Sequence, residues 1–162
     1  MEHGVSPEAI SGWMAAFEHS GLGVAARSTT WLYPLANLIH VLGAALMVGA
    51  ILAFDIQVLR RLRGIPGVAR ATLPVAAVGL FLQVASGFIL LSAEASTIVL
   101  NPAFQLKMAM LALGLINIAV FHWRFGRIPQ EIASLGSARA LAGVSLASWV
   151  IVLLSGRAIA YV

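Results

Sequence analysis

The stretch PLANLIHVLGAALMVG, residues 34–49, is apolar at almost every position, yet it carries Asn37 and His40 one helical turn apart. No further proline interrupts it after Pro34, and with its flanks it extends from Trp31 to Phe54 without an acidic or basic residue other than His40. A run of that length meets the roughly 20 residues that a helix needs to cross a hydrocarbon layer of about 30 Å. The fold class follows from whether the rest of the chain behaves in the same way.

It does. Hydrophobic residues make up 60% of the 162-residue chain and charged residues only 10%, and the mean hydropathy is +0.96. A soluble domain has to cover its surface with more polar groups than this. Four apolar runs stand out, at residues 31–54, 72–91, 101–123 and 140–161. Trp31, Tyr33, Trp123 and Tyr161 fall at their ends, where amphipathic rings suit the headgroup layer, and Pro74 and Pro102 fall in first turns, where a missing N–H costs little. The expected fold is all-α: an up-down four-helix bundle in a lipid bilayer over residues 31–162. Gly43, Ala44, Gly49, Gly79, Gly87, Gly114 and Gly143 lie inside the spans, as small residues do where helix backbones approach in lipid.

Residues 1–30 form a separate amphipathic segment. Ser6, Pro7 and Glu8 read as a helix start, Ile10, Trp13, Met14 and Phe17 share a face, and Gly21 and Gly23 are expected to end the helix. A helix of this kind lies flat at the membrane interface. It has no basic stretch leading into an apolar core, so it does not read as a cleaved signal peptide. His3 and His19 belong to this segment and read as solvated.

The net charge of +4 comes from arginines in two short loops. Arg60, Arg61, Arg63 and Arg70 lie between the first two spans, and Arg124, Arg127 and Arg139 between the last two; the middle loop, residues 92–103, has neither Lys nor Arg. This is an orientation signal, which puts the arginine loops in the cytoplasm and both termini outside, and it argues against nucleic acid as a partner. In a bacterial inner membrane, outside is the periplasm. The chain has no cysteine, so thiolate metal sites and thiol catalysis are excluded, and it has no phosphate loop, nucleophile elbow or His-Glu-x-x-His pattern.

Function is sought among the polar residues inside the spans, which are costly in lipid and turn towards partners or water. At about 1.5 Å of rise per residue, His40 lies roughly 13 Å below Trp31. Gln83, Ser86, Lys107 and Arg157 fall in the same outer half of their own spans. His40, Asn37, Gln83, Lys107 and Arg157 are therefore the candidate cofactor-binding residues, with snorkelling to the interface as the plain alternative for Lys107 and Arg157. His122, near the cytoplasmic end of the third span and within reach of Asp55, is a second candidate metal ligand beside His40. A single haem held by both is disfavoured, because His122 lies about 30 Å below Pro102, at another depth. The readings that remain are a b-type haem on one histidine or a quinone at His40, Asn37 and Lys107, for electron transfer. Alternatives are copper or other metal-ion handling, with Met47, Met108 and Met110 as soft ligands, and a non-catalytic accessory subunit of a homo-oligomer or larger membrane complex.

The spans at residues 28–59 and 101–124, with GRAIAYV at 156–162, resemble an uncharacterised family of small four-span bacterial inner-membrane proteins. The resemblance rests on Trp31, Pro34, His40, Gly43 and Asp55, on Phe104, Lys107, Asn117, Phe121 and His122, and on Gly156 and Arg157. It implies the topology rather than an activity. Asn37 stands where the family pattern has an acidic residue, so any cation binding or proton relay by that acid is weakened here. A looser architectural similarity links the chain to four-helix cytochrome b and copper-resistance membrane proteins.

Overall fold

The structure is a computed structural model that describes residues 7–126 and 136–161. Ser6, His3 and Arg127 lie outside the described residues. Helices α1 (Pro7–Glu18) and α2 (Gly21–Ser28) precede the long helices α3 (Leu32–Leu59) and α4 (Ile65–Ala93). A single turn, α5 (Ala95–Ile98), leads to α6 (Pro102–Phe125), and α7 (Gly136–Ala158) completes the fold. Helices α3, α4, α6 and α7 are each long and apolar enough to cross a membrane. The fold is a four-helix membrane bundle.

Helices α3 and α4 overrun their apolar runs, whereas α7 starts earlier than its run, at Gly136, and ends before it, at Ala158. Helix α3 has 28 residues, or about 42 Å at ~1.5 Å each, so it projects beyond the hydrocarbon layer. Helix α4 starts at Ile65, behind the left-handed Gly64 (φ 82°) and with Pro66 in the first turn. Pro74 is therefore inside α4 rather than in its first turn, contrary to the sequence reading. At the start of α6 the expectation holds: Asn101 Oδ1 accepts from the amides of Ala103 at 2.9 Å and Phe104 at 3.2 Å, and Pro102 follows the cap.

The helices associate as two hairpins. Helix α3 packs along α4 and α6 along α7, and the hairpins meet mainly through α3 and α7, while α4 and α6 approach each other marginally at most. Close approach within the first hairpin depends on two glycines. A Cβ on Gly79 would lie 2.4 Å from the Met47 amide nitrogen, and one on Gly43 would lie 2.9 Å from the Gly79 carbonyl oxygen. Gly114 makes room in the second hairpin for the fully buried Trp149, whose ring would be 3.0 Å from a Cβ there. Gly49 and Gly143 have open space around them and play no such part.

The N-terminal segment is two helices, not one. Ser20 accepts from the Gly23 amide at 3.3 Å and caps α2, so Gly21 and Gly23 begin a helix instead of ending one. Gly23 is needed for contact: its Cβ would meet the Ser92 carbonyl at 2.6 Å. Arg27 donates to the carbonyls of Ala93 and Glu18, each at 3.0 Å, and the Glu18 carboxylate accepts from both the amide and the hydroxyl of Ser96. These bonds fasten α1 and α2 over the α4–α5 junction.

Candidate functional site

Four polar side chains meet in the half of the bundle nearest the N-terminal helices. His40 occupies the inward stripe of α3 with Ala36, Gly43 and Met47, which are all buried, and its ring lies over α4 at Gly87. A Cβ on Gly87 would be 3.3 Å from His40 Cε1, so the missing side chain is what seats the imidazole. The Ser86 hydroxyl donates to the Leu82 carbonyl of its own helix, leaving its oxygen to accept from His40 Nδ1–H at 3.0 Å. That assigns the remaining lone pair to Nε2. Lys107 Nζ from α6 faces it at 3.5 Å, a long contact. Gln83 Nε2 donates to the His40 backbone carbonyl at 2.7 Å, and so clamps α4 to α3 rather than facing the ring.

The Lys107 stem runs along Gly156 of α7, where a Cβ would touch Nζ at 3.5 Å. His40 and Lys107 thus link the two hairpins at this level. Among the described residues Lys107 forms no ion pair; the one pair present joins Arg27 and Glu18 at 3.9 Å. Two of its three N–H donors remain after the contact with His40.

Two of the expected members are elsewhere. Asn37 is exposed, because the inward stripe runs through Ala36 and His40 and leaves Asn37 on the outer shoulder of α3. Arg157 is also exposed and turns to the end of the bundle, where it donates to the Tyr161 hydroxyl at 2.6 Å and lies 5.0 Å from the centre of its ring. Met47 and Met110 belong to the apolar core around Trp149 and Met108 is exposed, so the structure does not gather the methionines at His40.

His122 belongs to a different place. Its Nδ1–H donates to the Ile118 carbonyl one turn back at 2.9 Å, and the ring lines a cavity of about 220 Å³ in the arginine-rich half of the bundle. Asp55 lines the same cavity at 4% exposure. Sequence reasoning placed Asp55 at the end of the first span; α3 runs on to Leu59 and takes the carboxyl into the packed interior. Its Oδ2 has no hydrogen-bond partner, and the Ser145 hydroxyl is the neighbouring polar group. Asn117, buried at 6%, donates through Nδ2 to the Leu141 carbonyl at 3.1 Å and also faces the cavity. His40 and His122 are therefore parts of separate clusters. No group of three His, Asp or Glu residues is placed to hold a metal ion among the described residues.

No protein family, curated protein or solved structure matches the chain. The functional reading rests on these two clusters alone.

Proposed function

We propose that the protein binds a lipid-borne, oxygen-bearing redox ligand of the quinone class at Lys107, positioned by His40, in the outer half of a bacterial inner-membrane bundle whose termini are periplasmic. One observation carries this reading: an ammonium group sits half-buried in a membrane span, beside an imidazole, with no carboxylate among the described residues paired to it. Such a cation is expensive in lipid unless a ligand or water meets it. A ring carbonyl oxygen is an acceptor that arrives through the lipid, and the free N–H donors of Lys107 suit it. A b-type haem on His40 fits less well, because axial ligation needs Nε2, the atom that Lys107 faces.

The test is the purified protein in detergent. Extraction should yield a bound quinone in wild type that is lost from both Lys107→Met and His40→Ala. A reducible Soret band that disappears in His40→Ala would replace this reading with haem. Copper by metal analysis would replace it with metal handling, and an empty protein that copurifies with other subunits would make it an accessory component. The orientation has its own test: cysteines at the exposed positions Thr97 and Arg63 should label from opposite sides of the membrane, with Arg63 on the cytoplasmic side. Labelling from one side overturns the topology.

A further inference from the structure

The cavity in the arginine-rich half contains a buried carboxyl with an unpartnered oxygen, and nothing proposed for the outer site uses it. All four spans contribute to its wall. Of its lining residues, Leu73, Ala77 and Leu80 of α4 and Ile118 and His122 of α6 are partly or fully exposed. Helices α4 and α6, which barely approach each other, leave the route from the lipid that the proposal below uses.

The wall carries three unused acceptor atoms. Asp55 Oδ2 has no donor. Asn117 has committed one amide N–H to Leu141, which leaves Oδ1 and a second N–H, and His122 has committed Nδ1–H to Ile118, which leaves Nε2. The remaining surface is apolar and includes the rings of Phe54, Phe121 and Trp149. One carboxylate with few other oxygens does not make the six or more oxygen ligands that calcium takes, and magnesium keeps several waters that this wall would strip. Aromatic faces beside a carboxylate do suit an organic ammonium. The Trp149 indole N–H, one turn of α7 from Ser145, is fully buried and also unpartnered.

We propose that this cavity is a binding site for a small lipophilic amine, which enters from the lipid between α4 and α6 and places its ammonium group against Asp55. The volume of about 220 Å³ falls below the roughly 300–1,000 Å³ of drug-sized pockets, which limits the ligand to a small one. This site is about 22 Å from His40 along α3, at ~1.5 Å per residue, and is independent of the outer one.

The experiment uses the full chain in detergent and two probes of nearly the same shape, 2-phenylethylammonium and 2-phenylethanol. Titration calorimetry should show saturable binding of the amine, at least tenfold weaker binding of the alcohol, and at least tenfold loss of amine affinity in Asp55→Asn. Equal binding of amine and alcohol, or an Asp55→Asn protein that melts normally and binds the amine as wild type does, overturns the proposal. A second measurement needs no variant. The amine should protect Asp55 of the wild-type protein from a lipophilic carbodiimide, read by mass spectrometry as carboxyl modification, and unchanged modification at saturating amine also overturns it.

Discussion

The two ends of α3 solve the same problem in opposite ways. At the outer end His40 has its ring satisfied on both sides, by Ser86 and by Lys107, and the two hairpins are joined there. At the other end the Asp55 carboxyl lines a cavity with one oxygen unpartnered and the Ser145 hydroxyl beside it, while Phe54 and Phe121 pack edge to face across the two hairpins, ring centres 5.5 Å apart. Among the described residues the cluster at Lys107 has donors left over and no ion pair, and the one at Asp55 has a carboxyl oxygen left over and no ion pair. Lipid cannot cancel either imbalance, since it offers few hydrogen bonds at these depths. A polar group kept in a membrane span at such a cost is a functional-site hypothesis by default. The contrast adds the sign of what each place would bind: an acceptor near Lys107 and a donor near Asp55.

The most damaging test removes the feature on which both ends depend. Gly79→Val puts side-chain atoms into the α3 backbone at Met47, against a would-be Cβ distance of 2.4 Å, so the helices must separate. Overpacking of this kind costs about 3 kcal/mol or more when backbone is what must move. A large drop in melting temperature in detergent is expected, with loss of ligand at both sites. A variant with normal stability would show that the hairpin does not rely on this contact.

The next pair tests the comparison directly. Ser86→Ala leaves the Nδ1–H of His40 without an acceptor, a loss of about 1–3 kcal/mol. Asp55→Asn keeps the shape of a group that has no partner to lose at Oδ2, so it should be neutral or stabilising by up to about 1 kcal/mol. Denaturation of both variants in the same detergent checks the signs. If Asp55→Asn costs as much as Ser86→Ala, the carboxyl is paired and the two ends of α3 are alike.

How far these two places could be read from sequence depends on which coordinate is in question. Depth along a span is nearly linear in residue number. Counting rise therefore placed His40, Gln83, Ser86 and Lys107 at one level, and the structure brings those four together. Azimuth is another matter, because these helices are apolar all round and carry no polar stripe to mark the inward side. Asn37 and Arg157 have the right depth and the wrong direction. Asp55 was legible as a charge at the end of an apolar run, but its burial depends on α3 continuing to Leu59, through residues that a hydropathy pattern does not distinguish from loop. The cavity is a failure of four helices to fill space, and no residue period encodes that. The Gly43–Gly79 approach was visible as small residues within spans, although Gly49 and Gly143 look the same in sequence and touch nothing.

The smallest predicted effect concerns the N-terminal helices. Helices α1 and α2 lie against α3, α4 and α5, fastened through Glu18 and Arg27 to the α4–α5 junction. Hydrogen bonds from Ser96, aided by the charge of Arg27, hold the Glu18 carboxyl below its ordinary value of 4.5. A carboxyl whose value is lowered by folding contributes stability above its unfolded value and loses it as pH falls through the lower, folded one. The fastening should therefore be complete at neutral pH and weaken on acidification below about pH 4.5. Hydrogen exchange across residues 12–28 should rise over that range while the spans stay protected. In Glu18→Gln the segment should exchange faster at neutral pH and lose the acid-dependent change. If the acid-dependent change persists in Glu18→Gln, a group other than this carboxylate fastens α1 and α2 to the α4–α5 junction.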